Sequence, residues 1–456
     1  MNVIEKPILP TLFLLSWPIM IGEGMQLMYN LVDTLWIGQL GADELAAVSL
    51  SFPLIFVMFS VGAGFSIAGM SLVSQYTGAK RPEKANLVAG QILGFSVLIS
   101  ILFSAIGLMF GRELLGIMGA EPEVLNYAWE YFRIILIGAP LIFIYFIFSS
   151  VMQGVGDTKT PMKIKAGTVL FNIVIDPFLI FGWFFFPQMG VVGAAVATVF
   201  SRLIASGIAV YILFTKNKEI KLLPGHLIPD LSIIKKIIKI GTPAAVGMSA
   251  LSIALAVMTY IVTMFGTFAL AAWGIVSRIT SFIRLPSQGI SRSTGILVGQ
   301  NLGADRSEEA EKSAWAGTGV VFLIMTGFAF AILFLAPFII SPFTNQPEVV
   351  GMGTDYLRVA GFAYMFLGIQ MVLSGALKGA GQTFAQMFFR VLTLWLMQIP
   401  FSYFLAFRLD WGVDGIWWGI FFAKLIGCLL LIVWFKQGTW KKKVIESEPG
   451  IFKTTG

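Results

Sequence analysis

The feature that most constrains this chain is a run of about twenty apolar residues, repeated from one end to the other. A helix of about 20 residues crosses roughly 30 Å of hydrocarbon, and only a structure that satisfies its own backbone polar groups is stable there. Charged residues make up 12% of the 456 and hydrophobic residues 57%, whereas a soluble domain carries about 25% charged residues. The expectation is an all-α, polytopic membrane protein of twelve helices. Spans fall near 10–35, 46–74, 87–110, 126–150, 162–184 and 190–214, and again near 234–262, 269–297, 313–337, 352–376, 387–407 and 412–435.

The basic residues orient these spans. Lys80, Arg81, Lys84, Lys159, Lys216, Lys218, Lys235, Lys236, Lys441, Lys442 and Lys443 fall on one side, and the opposite loops hold only Arg112 and Arg408. This bias predicts a multi-pass protein of the cell (inner) membrane with both termini in the cytoplasm. The net charge of +7 is thereby assigned to topology, and no nucleic-acid partner is expected. The N-terminal MNVIEKPILP lacks the basic segment and cleavage site of a signal peptide. A single Cys428 and a single His226 leave no intrachain disulfide and argue against a metal centre. No phosphate-binding G-x-x-x-x-G-K-[ST] run is present. With no convincing nucleophile–base set either, a membrane-embedded enzyme is the weaker reading, and no cofactor is expected.

The chain is a duplication. At an offset of 225 residues Pro18 meets Pro243, and Gln75, Gly78, Ala79 and Arg81 meet Gln300, Gly303, Ala304 and Arg306. Pro122, Glu123 and Val124 meet Pro347, Glu348 and Val349, Tyr131 and Arg133 meet Tyr356 and Arg358, and Gly154 and Gly156 meet Gly379 and Gly381. Most of these matches are Gly, Pro or polar, so apolar composition does not account for them. Six helices per copy give both copies one orientation, related by a pseudo-two-fold axis along the membrane normal with a cavity between them. The expected units are a first six-helix lobe, 1–214, a linker, 215–233, a second lobe, 234–436, and a cytoplasmic tail, 437–456.

Ionisable groups inside hydrocarbon cost about 2.5–3.5 kcal/mol on insertion scales, which makes them candidates for function. Of the acids, only Glu23, Asp33 and Asp176 lie well inside spans. Glu23, Gln26, Asn30 and Asp33 follow one another at steps of three, four and three, forming one polar stripe on the first helix. Asn172 and Asp176, four apart, share a face of the fifth helix just before Pro177, which frees a backbone carbonyl. The sixth helix adds Thr198. The second copy places Met248, Leu251, Leu255 and Met258 against the stripe, and Met397 and Phe401 against Asn172 and Asp176. The last two helices are shifted by about three residues, with Gly190 against Gly412. The carboxylates are therefore not needed for the fold the copies share. Asp33, Asn172, Asp176 and Thr198 are the expected ion site, and Glu23, Gln26 and Asn30 the expected cavity lining. Arg133 and Arg358 read as loop pairing or interfacial residues. Arg278, Arg284 and Arg292 share one long helix of the second copy, Arg278 and Arg292 on roughly one face. Met and Phe, 20 and 41 in number, would mostly face lipid or pack, with some forming a pliable apolar wall.

The segments SWPIMIGEGMQLMYNLVDTLWIGQLG, LVSQYTGAKRPEKA with its echo LVGQNLGADRSEEA, QGVGDTKTP, KGAGQT and FNIVIDPFLIFG resemble the multidrug and toxic compound extrusion (MATE) family over nearly the whole chain. The resemblance implies export of cationic or amphipathic compounds in exchange for H⁺ or Na⁺. It puts the family's ion site on Asp33, Asn172, Asp176 and Thr198, with Na⁺ there as the one possible metal. Helices seven and ten lack the acids of a Na⁺-linked branch, so the chain resembles the branch of DNA-damage-inducible efflux proteins, which favours H⁺. A monomer with small-molecule substrates and surrounding lipid is expected. The alternative within transport is a flippase for lipid-linked oligosaccharides, whose pyrophosphate the arginines of the eighth helix would meet.

Overall fold

Helices start where the sequence supplies proline or a capping side chain. Pro82, Pro122 and Pro347 occupy first turns, where a missing N–H costs nothing. Asp230 caps its helix by accepting from the backbone N–H of Ser232 at 2.8 Å and from its hydroxyl at 2.6 Å. These bonds hold the Asp230 carboxyl below the usual carboxylate range. The structure is a computed structural model and describes residues 4–184, 186–216 and 219–445. Lys218, and the part of the expected tail beyond residue 445, lie outside the described residues.

The spans are α1 (Ile8–Gly38), α2 (Ala42–Gly78), α3 (Pro82–Ile117), α4 (Pro122–Gly154), α5 (Lys159–Phe181) and α6 (Gly190–Tyr211), then α7 (Leu231–Thr263), α8 (Thr267–Ile283 with Leu285–Gly303), α9 (Ser307–Ile340), α10 (Pro347–Gly379), α11 (Thr383–Arg408) and α12 (Gly412–Lys436). Each is long and apolar enough to cross a membrane, α8 if its two pieces count as one. The 31 residues of α1 extend about 46 Å at 1.5 Å per residue, so the helix outruns the hydrocarbon. The all-α, twelve-helix plan is the one the sequence predicts.

Two spans depart from the unbroken helix expected. The segment near 269–297 bends by 43° between Ile283 and Leu285. Pro286 stands directly after the break and can neither donate to the preceding turn nor fit against it. In α11, π-helical turns run over Leu392–Gln398 and Phe404–Arg408, on either side of Pro400, whose missing donor loosens the ladder between them. By contrast α5 runs through Pro177 without a break.

The two copies interlock near the ends of the chain. There α1 packs into the second copy, with Leu12, Leu15 and Ile19 among Ile290, Ile296, Leu297 and Val321. The start of α7 packs into the first copy in the same way, with Ile233, Ile237 and Ile240 among Phe65, Ala68 and Leu72. Backbone meets backbone at the axis. A Cβ on Gly78 would lie 1.9 Å from the Gln300 carbonyl oxygen, and one on Gly303 would lie 1.9 Å from that of Gln75. The Gln75 amide donates to the Gly379 carbonyl at 3.1 Å, and the Gln300 amide donates to the Gly154 carbonyl at 2.9 Å. All four residues in that pair of bonds are related by the 225-residue offset, so the pseudo-two-fold is realised atom for atom. The end segment joins in, the Val444 N–H donating to Gln75 Oε1 at 2.9 Å. Towards the far ends of the helices this contact is lost, and Asn30 and Thr34 of α1 are exposed. Polar side chains exposed within a span face a wet cleft rather than lipid.

Replacing Gly78 with Ala should therefore loosen this closure by about 1–3 kcal/mol, the usual cost of overpacking. Thiol labelling of a Ser74→Cys reporter, buried here, should speed up in the Gly78→Ala background. Unchanged labelling and unchanged thermal stability would contradict the backbone-contact account.

Candidate ion and substrate site

The polar stripe on α1 divides into two environments. Nearer the interlocked end, Glu23 faces two cations, with Lys165 Nζ of α5 at 3.7 Å and an Arg292 guanidinium nitrogen of α8 at 3.3 Å. One turn on, Gln26 donates to Asn30 Oδ1 at 3.2 Å, and its own Oε1 accepts from Arg202 of α6 at 3.4 Å. Glu23 is thus a neutralised acid that joins α1, α5 and α8, and Asn30 is exposed to the cleft.

Further along, the stripe enters a drier region between α1, α5 and α6. Asp176 is fully buried and Asn172 is 2% exposed. The Asn172 side-chain amide donates to Asp176 Oδ1 at 3.2 Å, as the four-residue spacing on α5 predicts. The Tyr29 hydroxyl of α1 bonds Thr198 Oγ1 of α6 at 2.8 Å. Asp33 Oδ1, Asp176 Oδ2 and Asn172 Oδ1 are all buried acceptors with no donor. Buried oxygens without donors are costly and suit a proton or a small cation. A cavity of about 10 Å³ bordered by Tyr29, Asn172, Thr198 and Arg202 has room for about one water.

The second copy fills the matching region with hydrocarbon and rings. Met258, the counterpart of Asp33, is fully buried in a cluster with Ile261, Trp273 and Trp417. Tyr356, the counterpart of Tyr131, stacks on Trp417 at 4.0 Å and on Trp273 at 5.4 Å. Met397 and Phe401 are half-buried. Arg133 and Arg358 each sit 4.0 Å from an acid one turn earlier on the same helix, Glu130 and Asp355, which again repeats at the offset of 225. The sequence reading passed over Tyr29, Lys165 and Arg202. The signal available for the tyrosine and the arginine was helical spacing, Tyr29 four before Asp33 and Arg202 four after Thr198.

Two stretches, residues 18–178 and 243–404, match the family model for MatE. The second match begins at Pro243, the residue the repeat sets on Pro18. This chain belongs to the MatE family. Membership makes it a membrane transporter and not an enzyme. It is 28% identical over 433 residues to the probable multidrug resistance protein YoeA of Bacillus subtilis, covering 94% of this chain and 93% of that protein. The probable multidrug resistance protein NorM of Thermotoga maritima is 28% identical over 435 residues, at 94% and 93% coverage. A solved structure described as the outward-facing conformation of a multidrug resistance MATE family transporter of the MOP superfamily superposes with a TM-score of 0.90. It is 26% identical and is covered to 97%, with 96% of this chain aligned.

Glu23 and Lys165 should be energetically coupled in this transporter. A double-mutant cycle of Glu23→Gln and Lys165→Met, read by thermal unfolding in detergent, should return a coupling of about 1 kcal/mol. Additive effects would mean that the pair contributes nothing to packing α1 on α5.

Proposed function

We propose that this protein exports amphipathic organic compounds from the cell, driven by inward movement of H⁺ through the first copy. The observation that carries this reading is the set of donor-less buried oxygens on Asp33, Asn172 and Asp176, where the second copy has Met258, Met397 and Phe401. Both carboxylates neutral suits a dry, closed packing of α1 against α5 and α6; ionisation favours an arrangement that admits water or a cation. Alternating access requires such a difference in stability between two states. The exporter is read as a monomer in the cell membrane, with units 1–214 and 234–436 rocking about the closure at Gly78 and Gly303. Na⁺ held by Asp33, Asn172, Asp176 and Thr198 is the competing ion.

The Asp33→Asn protein keeps the size and hydrogen-bonding capacity of the side chain but cannot cycle a proton. Its efflux from proteoliposomes under an imposed pH gradient should fall at least about tenfold, to the passive leak, while its melting temperature holds. Efflux driven by a Na⁺ gradient alone would replace H⁺ with Na⁺, and wild-type efflux by Asp33→Asn would remove that residue from the mechanism.

The side on which the chain ends lie follows from the distribution of Lys and Arg. Membrane-impermeant thiol reagents should reach Lys80→Cys only from the cytoplasm and Asp43→Cys only from outside, both positions being exposed. Labelling of both from one side would reverse or break this topology.

A further inference from the structure

The duplication extends to a pair of cations inside the membrane, and only in the first copy does the facing helix supply side-chain acceptors for it. Lys165 of α5 falls on Arg390 of α11 at the offset of 225. Arg202 of α6 falls on Lys424 of α12 once the three-residue shift between the last helices of the copies, Gly190 against Gly412, is included. In the first copy the pair has acceptors on α1, Glu23 for Lys165 and Gln26 for Arg202. Their counterparts on α7, Met248 and Leu251, accept nothing. The second copy also adds a cation, Lys378 on α10, where the first has Gln153.

Lys424 is 9% exposed, and Lys378 and Arg390 are half-buried. The Gln370 amide of α10 donates to the Lys424 carbonyl of α12 at 2.9 Å, and a Cβ on Gly427 would lie 2.3 Å from Thr393 Oγ1 of α11, so the turns that carry Lys424 and Arg390 pack together, with Lys378 two turns beyond Gln370 on α10. Arg390 reaches one acceptor, the Gly247 carbonyl, at 3.5 Å. Arg284 Nε and the Gln386 amide nitrogen are buried donors with no acceptor. Arg284 also donates to the Ser281 hydroxyl at 3.2 Å, but neutral acceptors leave the charge of such cations within the spans uncompensated, an unfavourable arrangement that an anion would relieve.

We propose that the second copy holds an anion-binding subsite, built by Lys378, Arg390 and Lys424 with Arg284 at its edge, that takes the acidic head group of the transported amphiphile. Met248 and Leu251, half-buried beside it, give the apolar body of that molecule a surface. The proposal rests on the export reading above and names its substrate class: organic anions carrying a sulfonate, carboxylate or phosphate. The expectation of cationic substrates gives way in this copy to the opposite charge. The same chemistry is offered by the head group of an anionic lipid.

The test uses the full-length protein in nanodiscs and a matched pair of probes, pyrenesulfonate and pyrenemethylammonium, with binding read by equilibrium dialysis in the absence of any ion gradient. The anion should bind at least tenfold tighter than the cation. Arg390→Gln and Lys424→Gln should each weaken the anion at least fivefold, with the restored-charge variants Arg390→Lys and Lys424→Arg recovering it. Melting temperatures should hold or rise, because an uncompensated charge is removed; this separates lost binding from lost folding. Preference for the cation, equal binding of the two probes, or anion affinity indifferent to both Gln variants would overturn the subsite. A second arm measures flipping of fluorescently labelled phosphatidylglycerol in vesicles. Flipping that Lys424→Gln abolishes identifies the head group as a lipid's, and pyrenesulfonate efflux without lipid movement identifies a free organic anion; either supports the subsite. Tight, Lys424-dependent anion binding with no proton-driven efflux would strike the coupling reading alone. Proton-driven efflux of pyrenemethylammonium without anion binding would strike the subsite alone.

Discussion

An ionised side chain inside hydrocarbon needs a partner or water, at a cost of about 2.5–3.5 kcal/mol otherwise, and the placement of the polar residues in this chain follows from that requirement. Glu23 lies between Lys165 and Arg292. Gln26 receives Arg202, and Asn30 is exposed and bonded to Gln26. Asp176 is fully buried and takes an amide bond from Asn172, yet one of its oxygens still lacks a donor. A residue that breaks the rule inside an otherwise compliant structure is the one whose partner comes and goes. In the first copy that residue set reads as an ion site, and in the second the cations on α10, α11 and α12 read as a site for a mobile anion.

Duplication explains how two unlike sites arise on one scaffold. What both copies keep is the part that holds them together: the Gly78–Gly303 contact, the glutamine bonds to Gly379 and Gly154, and the reciprocal seating of α1 and α7. These lie on the axis, where a change in either copy disturbs the other. What they do not share lies away from the axis. Asp33 and Asp176 stand in the first copy where the second has Met258 and Phe401, and Tyr356, the counterpart of Tyr131, stacks with Trp273 and Trp417. Each half was free to change its interior because the closure did not depend on it.

Much of this was legible in the sequence. Apolar length gives the twelve spans, since hydrocarbon thickness sets a minimum that few other structures meet. The Asn172–Asp176 bond follows from a spacing of four, and Pro, Gly and Gln matches at one offset expose the repeat. The bend in α8 was less legible, although Pro286 is visible, because a proline inside an apolar run either kinks a helix or ends it, and packing decides which. The π-helical turns of α11 were less legible still, since Pro400 marks a weak point in the helix but not the form the backbone takes around it. The basic residues of the second copy were each visible but scattered over Arg284, Lys378, Arg390 and Lys424. Only the fold brings them together, and only the repeat reveals that α7 lacks the acid which α1 supplies.

The closure near the chain ends also sets an energy scale. Bonds from Ser71 and Gln75 to Gly379, from Gln300 to Gly154 and from Val444 to Gln75 cross from one copy, or the end segment, to the other. Each is worth about 0.5–1.5 kcal/mol net once water can replace it, so releasing all four costs about 2–6 kcal/mol. Carrying one elementary charge through 100 mV releases about 2.3 kcal/mol, and each pH unit across the membrane adds about 1.4 kcal/mol. Under the proposed H⁺ coupling the two energies are of one size: the clasp is strong enough to stay shut against thermal motion, and one proton moving down its gradient releases an energy comparable with the cost of opening it.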